Sequence, residues 1–131
     1  MVHASRAAQH YVQTQVRSSS PLELVVMLYD GAIRSVTTAL DAMARGDIRT
    51  RRDAISKALA IVGELQGTLN MERGGEIAER LDALYTWMTD SIVEATVKQD
   101  PKPLEDVRRI LDVLRDGWQQ IAARPVPEPV A

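Results

Sequence analysis

The chain has no cysteine and no phenylalanine, and only 4% of its 131 residues are aromatic. Without cysteine there is no disulfide and no thiolate metal site, a composition that fits a reducing compartment. The two histidines, His3 and His10, have no patterned carboxylates beside them, so no metal centre is expected. Charge of one sign is also lacking. Sixteen Lys and Arg face eighteen Asp and Glu, for a formal net charge of −2. That balance offers no field to draw nucleic acid or an anionic membrane. Long apolar runs are missing too. The longest, Leu24 to Tyr29, is far below the ~18 residues of a membrane span. The N-terminus has none of the segments of a signal peptide, so a cytosolic location is expected. No phosphate-binding loop, nucleophile elbow or zinc-protease helix occurs. Gly74-Gly75 lacks both the third glycine and the preceding strand of a dinucleotide loop. Neither catalysis nor a cofactor is therefore expected. The core must come from Leu, Ile, Val, Ala and Met.

Those residues recur with helical spacing. Leu104, Val107, Leu111, Leu114, Trp118 and Ile121 step by 3, 4, 3, 4 and 3, which keeps them on one helical face. Asp100-Pro101 and Pro103 stand where a cap and an N-terminal proline belong. Ile77, Leu81, Leu84, Met88 and Ile92 step by 4, 3, 4 and 4, and Gly74-Gly75 is expected to separate their helix from the one before. Ile48, Ile55, Val62 and Leu69 recur every seven residues. Their helix follows a glycine stop at Gly46 and an expected cap at Asp47. Ser20-Pro21-Leu22-Glu23 has the pattern of a capping box with proline at the first helical position. From there Leu22, Val26, Tyr29, Ile33, Val36, Leu40 and Met43 alternate steps of 4 and 3. The period runs through Asp30-Gly31, a dipeptide that often marks a turn, so one helix of about 24 residues is expected.

Four such helices with short connections predict an all-α, antiparallel up-down four-helix bundle. Residues 18–123 would form the bundle. Residues 1–17 would be a weakly held segment, with Ala4, Ala8 and Tyr11 on one face of a short helix. Residues 124–131, rich in proline, would be a disordered tail.

The first helix carries more apolar residues than one core stripe needs. Val25, Leu28 and Ala32 make a second stripe, and Leu24, Met27 and Gly31 a third face. Beyond Ile33 the non-core positions are ordinary: Arg34, Ser35, Thr37, Thr38 and Asp41. The second helix shows a milder surplus at Ala54, Ala58, Ile61 and Leu65. A bundle core is wide enough to take one extra stripe, but not residues on every side of a helix. The remainder calls for a cover: residues 1–17, a second copy of the chain, or an amphipathic partner helix seated in a groove.

The stretches "SPLELVVMLYDGAI" at 20–33 and "GGEIAERLDALY" at 74–85, with Trp118 in the last helix, resemble the flagellin export chaperone family, FliS. Tyr11 and "TQV" at 14–16 also fit, and the resemblance covers about residues 8–123. Trp87 departs mildly from the pattern, since an aromatic such as tyrosine is common there. The resemblance implies a cytosolic helical bundle that binds the C-terminal segment of flagellin, prevents premature polymerisation and delivers the subunit to the flagellar export apparatus. It also implies that the segment bearing Tyr11 covers part of the binding groove, and that no cofactor is used. Combined with the surplus faces, it assigns Tyr11, Leu24, Val25, Met27, Leu28, Ala32, Ile61 and Leu65 to flagellin binding. A homodimer, a homo-oligomeric bundle and an adaptor for another amphipathic helix remain the alternatives.

Overall fold

Ser20 opens the first helix by accepting a hydrogen bond from the Glu23 N–H at 3.1 Å, with Pro21 in the first turn where its missing N–H costs nothing. A computed structural model describes residues 20–124. Among them are four helices and no strand: α1 (Pro21–Arg45), α2 (Ile48–Gly67), α3 (Met71–Lys98) and α4 (Lys102–Ala123). The first helix ends at Gly46, whose φ of 70° is left-handed, a conformation that only glycine adopts without penalty. Asp47 then caps α2 by accepting from the Thr50 N–H. Asn70 caps α3 through the Arg73 N–H.

Connections as short as Gly46-Asp47 force consecutive helices to run antiparallel. Helix α1 packs on α2 and α4, and α3 packs on the same two, which closes the ring of an up-down bundle. The core holds Val36, Val62, Leu65, Met88, Ile92, Leu104, Val107 and Leu111, all sealed from solvent. Ala32, Ala39, Ala42, Ala58 and Ala95 are sealed with them. In the absence of phenylalanine, Tyr29 and Tyr85 supply the aromatic bulk. Buried polar groups must find partners, and these two hydroxyls pair with each other at 2.5 Å.

The unbroken α1 explains why Asp30-Gly31 does not turn. Asp30 Oδ1 accepts from Arg115 Nε on α4 at 2.8 Å. Gly31 faces α2, where Ile61 Cδ1 lies 3.2 Å from the place a Cβ would occupy. Both residues therefore serve contacts between helices. The close neighbour at Gly31 is a side chain rather than a backbone.

The bundle also departs from the expected pattern. Helix α2 stops at Gly67, well before Gly74-Gly75. The glycine pair lies inside α3, where Gly75 has φ 50° and ψ −129° and kinks the chain after one turn, Met71–Gly74. Ile48, Ile77 and Ile121 are exposed although their spacing placed them on core stripes. A stripe is buried only as far as a neighbouring helix reaches, and these residues stand near helix ends. On α2 the stripe of Ala54, Ala58 and Leu65 is buried, so the core takes both of that helix's apolar stripes. Asp100 does not cap α4 by its side chain from the N-cap position. That position is Pro101, and Asp100 accepts from the Lys102 N–H.

Candidate functional site

At the end of the bundle where α1 and α3 begin, an open apolar groove of about 580 Å³ lies between the helices. Helix α1 contributes Leu22, Leu24, Val25 and Leu28. Leu69 comes from the α2–α3 connection, Ile77 and Leu81 from α3, and Trp118 from α4, with Tyr85 also reaching the lining. The local sequence builds this opening. A Cβ on Gly74 would stand 2.5 Å from the Ala78 Cβ, so only glycine lets the first turn of α3 fold down over Ala78. The kink at Gly75 allows that turn to diverge from the rest of the helix. Ile77 follows the kink and is 70% exposed.

The walls are held by polar contacts between helices. Asp30 and Arg115 tie α1 to α4. The ion pair raises the Arg115 pKa above its ordinary value, chiefly through the hydrogen bond to Asp30. Gln66 donates to Asp82 Oδ1 at 2.8 Å and to Thr86 Oγ1 at 3.1 Å, which ties α2 to α3. Among the described residues no group of acidic and histidine side chains could hold a metal ion, and no helix is long and apolar enough to cross a membrane.

The residues expected to bind a partner fall in different places. Leu24, Val25 and Leu28 line the groove. Met27 is partly buried on α1 and is not part of the lining. Ile61 is partly buried against Gly31 and lines a more polar hollow between α1 and α2. Ala32 and Leu65 are core residues, 0% and 1% exposed. Neighbouring helices cover these two positions, so they have no surface to offer a partner. Tyr11 lies outside the described residues. The periodicity reading missed Leu22, Leu69, Ile77, Leu81 and Trp118 because it assigned all five to core stripes. Their nearness to helix ends, where a stripe can run past its neighbours, was the signal available.

The pattern that defines the family described as "Flagellar protein FliS" matches residues 4–125. The chain belongs to the FliS family. It is similar to a flagellar secretion chaperone FliS of Vibrio cholerae, with 39% identity over 84% of this chain and 81% of the relative. A FliS of Salmonella typhimurium is 35% identical over 89% and 87% of the two chains. A flagellar secretion chaperone FliSB of Pseudomonas aeruginosa is 34% identical over 92% and 99%. The stretch "SPLELVVMLYDGAI", which carried the FliS resemblance, supplies the α1 wall of the groove together with Asp30 and Gly31. "GGEIAERLDALY" supplies the kink, Ile77, Leu81 and Tyr85.

The tyrosine pair in this FliS bundle makes its stability sensitive to alkali. Burial raises the Tyr29 pKa, partly offset by hydrogen bonding to Tyr85 and Trp118. Burial, and then the Tyr29 hydroxyl, raise the Tyr85 pKa. The unfolded chain ionises these phenols near pH 10, and the folded chain only at higher pH. Their contribution is complete below about pH 10 and drains away above it, as the unfolded state releases its protons first. The urea midpoint should fall from pH 9 to pH 11, and the double variant Tyr29→Phe/Tyr85→Phe should show a shallower fall. Equal slopes in the two proteins would rule out this origin.

Proposed function

We propose that the chain is a cytosolic export chaperone whose groove receives the C-terminal helical segment of flagellin, keeps the subunit from polymerising and supports its delivery to the flagellar export apparatus. The observation that carries this reading is the groove itself. It combines Leu22, Leu24, Val25, Leu28 and the exposed Ile77, in a protein whose relatives are named flagellar secretion chaperones. An amphipathic helix laid in such a groove would bury its apolar face against these side chains. A chaperone that binds the free subunit lowers its free concentration by mass action, and polymerisation slows accordingly. The test is a titration of the full chain with a flagellin C-terminal peptide, followed by calorimetry and light scattering. Saturable binding with one peptide per chain is expected. A stable dimer indifferent to the peptide would replace this reading with a self-assembling bundle.

The same reading gives residues 1–17 a role as a cover that the partner displaces. A segment anchored by Tyr11 and a few alanines gains only a few kcal/mol from burial, and ordering its backbone costs a comparable amount. A longer apolar helix should therefore win the surface. Amide hydrogen exchange in residues 1–17 is expected to quicken when the flagellin peptide binds. Unchanged or slower exchange would make the segment a fixed part of the site.

A further inference from the structure

In an up-down bundle α4 ends where α1 and α3 begin, so Arg124 stands at the same end of the molecule as the groove. Arg124 has already left the helix, with φ −68° and ψ 138°, the extended conformation that a following proline favours. Residues 125–131 continue from it as Pro-Val-Pro-Glu-Pro-Val-Ala. The α3–α4 wall of the groove holds Ile77, Leu81 and Trp118. Ile121, three residues after Trp118, is 43% exposed. Arg73 is the one charged side chain among the described residues that line the groove, and none of them forms an ion pair with it.

Charge and reach select the segment that suits this wall. Residues 1–19 carry Arg6 and Arg17 and no acidic side chain, so they offer Arg73 no counter-charge. Residues 125–131 carry a single charge, Glu128, among apolar residues. Glu128 follows Arg124 by four residues, about 12 Å of polyproline II chain. Adjacent helices pack about 8–10 Å apart and α3 packs on α4, so the carboxylate reaches the first turn of α3. We propose that residues 125–131 fold back over the α3–α4 wall, with Glu128 at Arg73 and the apolar residues of the segment against Ile77 and Trp118. Polyproline II has three residues per turn, which puts Glu128 on one edge and Val126, Pro127, Pro129 and Val130 on the other two. Three prolines with fixed φ lower the cost of ordering the segment, and aromatic-lined grooves receive proline-rich chains in this way. The contact leaves the α1 wall to residues 1–17 and does not depend on which partner enters the groove.

The chain has no cysteine, so Ala131→Cys supplies a single thiol for a nitroxide label that broadens the NMR signals of nearby amides. In the full chain, broadening is expected at Arg73 and Ile77 and not at Gly46, at the other end of the bundle. Arg73→Glu and Glu128→Arg should each lower the ratio of docked to free segment by up to about fivefold, the range of an exposed ion pair. The double variant should restore it. All three should melt close to the natural chain, since Arg73 is exposed and an acidic residue suits the first turn of a helix. A segment merely tethered at Arg124 would broaden the same signals equally in every variant, and that result overturns the proposal. Absence of broadening at Arg73 and Ile77 overturns it as well. If an isotope-labelled chain without nitroxide is broadened by a nitroxide-bearing chain mixed with it, and broadening within one chain is absent, the occupant is a second copy and the proposal falls. It falls too if a label at Val2→Cys broadens Arg73 and Ile77 while the label at Ala131→Cys spares them, because residues 1–17 then fill this wall.

Discussion

Replacing Ile77 with glutamate should leave the bundle folded and remove most of the affinity for a flagellin C-terminal peptide that the proposed function gives it. Ile77 is 70% exposed and lies in the lining of the groove, so in the free protein a carboxylate there stays in water. The thermal midpoint should move by no more than a degree or two, in keeping with a surface substitution of about ±0.5 kcal/mol. In the complex the loss is twofold. The burial of an isoleucine side chain, about 1.5–3 kcal/mol, disappears, and a charge must be desolvated against an apolar partner. At roughly 1.4 kcal/mol per factor of ten, the dissociation constant should rise by one to two orders of magnitude or more. Calorimetry on Ile77→Glu and Ile77→Ala separates the two contributions, with the alanine variant losing less. Unchanged affinity in both would place the partner elsewhere on the surface. Leu28 is a less clean probe. It lines the same groove but is also packed against the core, so a glutamate there would weaken folding and binding together.

The opposite result is expected at Val36. This residue is 0% exposed in the middle of α1 and belongs to the core cluster. Aspartate is close to valine in volume, so Val36→Asp mainly introduces a charge. An unpaired carboxylate sealed in a core costs several kcal/mol, against a total stability of about 5–15 kcal/mol for a domain of this kind. The variant should be largely unfolded at neutral pH and should recover helix on mild acidification, because burial favours the protonated acid. Circular dichroism from pH 7 to pH 4 reads both effects. A cooperative melt within a few degrees of the natural chain at pH 7 would mean that Val36 is not in the core. Ile77 and Val36 thus separate the proposed partner surface from the interior that maintains the fold.

Much of this architecture was legible before any coordinates. The capping signals at Ser20 and Asp47, the glycine stop at Gly46 and the alternating steps of 3 and 4 act over one or two helical turns, and backbone hydrogen bonding reads them locally. The same period carried α1 correctly through Asp30-Gly31. The groove was legible only in part. Leu24, Val25 and Leu28 stood out as surplus on a helix with too many apolar faces, and the structure lines the groove with them. Ala32 and Leu65 stood out for the same reason and are buried.

What the sequence by itself determined is therefore the helices, their order and the excess of apolar surface near the start of α1. Periodicity specifies which side chains share a face, but it carries no information about how far a neighbouring helix extends along that face. Only the tertiary structure decided that. Neighbouring helices seal Ala32 of α1 and Leu65 of α2 inside the bundle. At the end, α3 kinks at Gly75 and leaves Ile77, on the same spacing as the buried Met88 and Ile92, facing outward. The pairing of Tyr29 with Tyr85 and that of Asp30 with Arg115 arise in the same way. Each depends on residues far apart in the chain meeting across a helix interface, and it is the packing geometry that sets those distances.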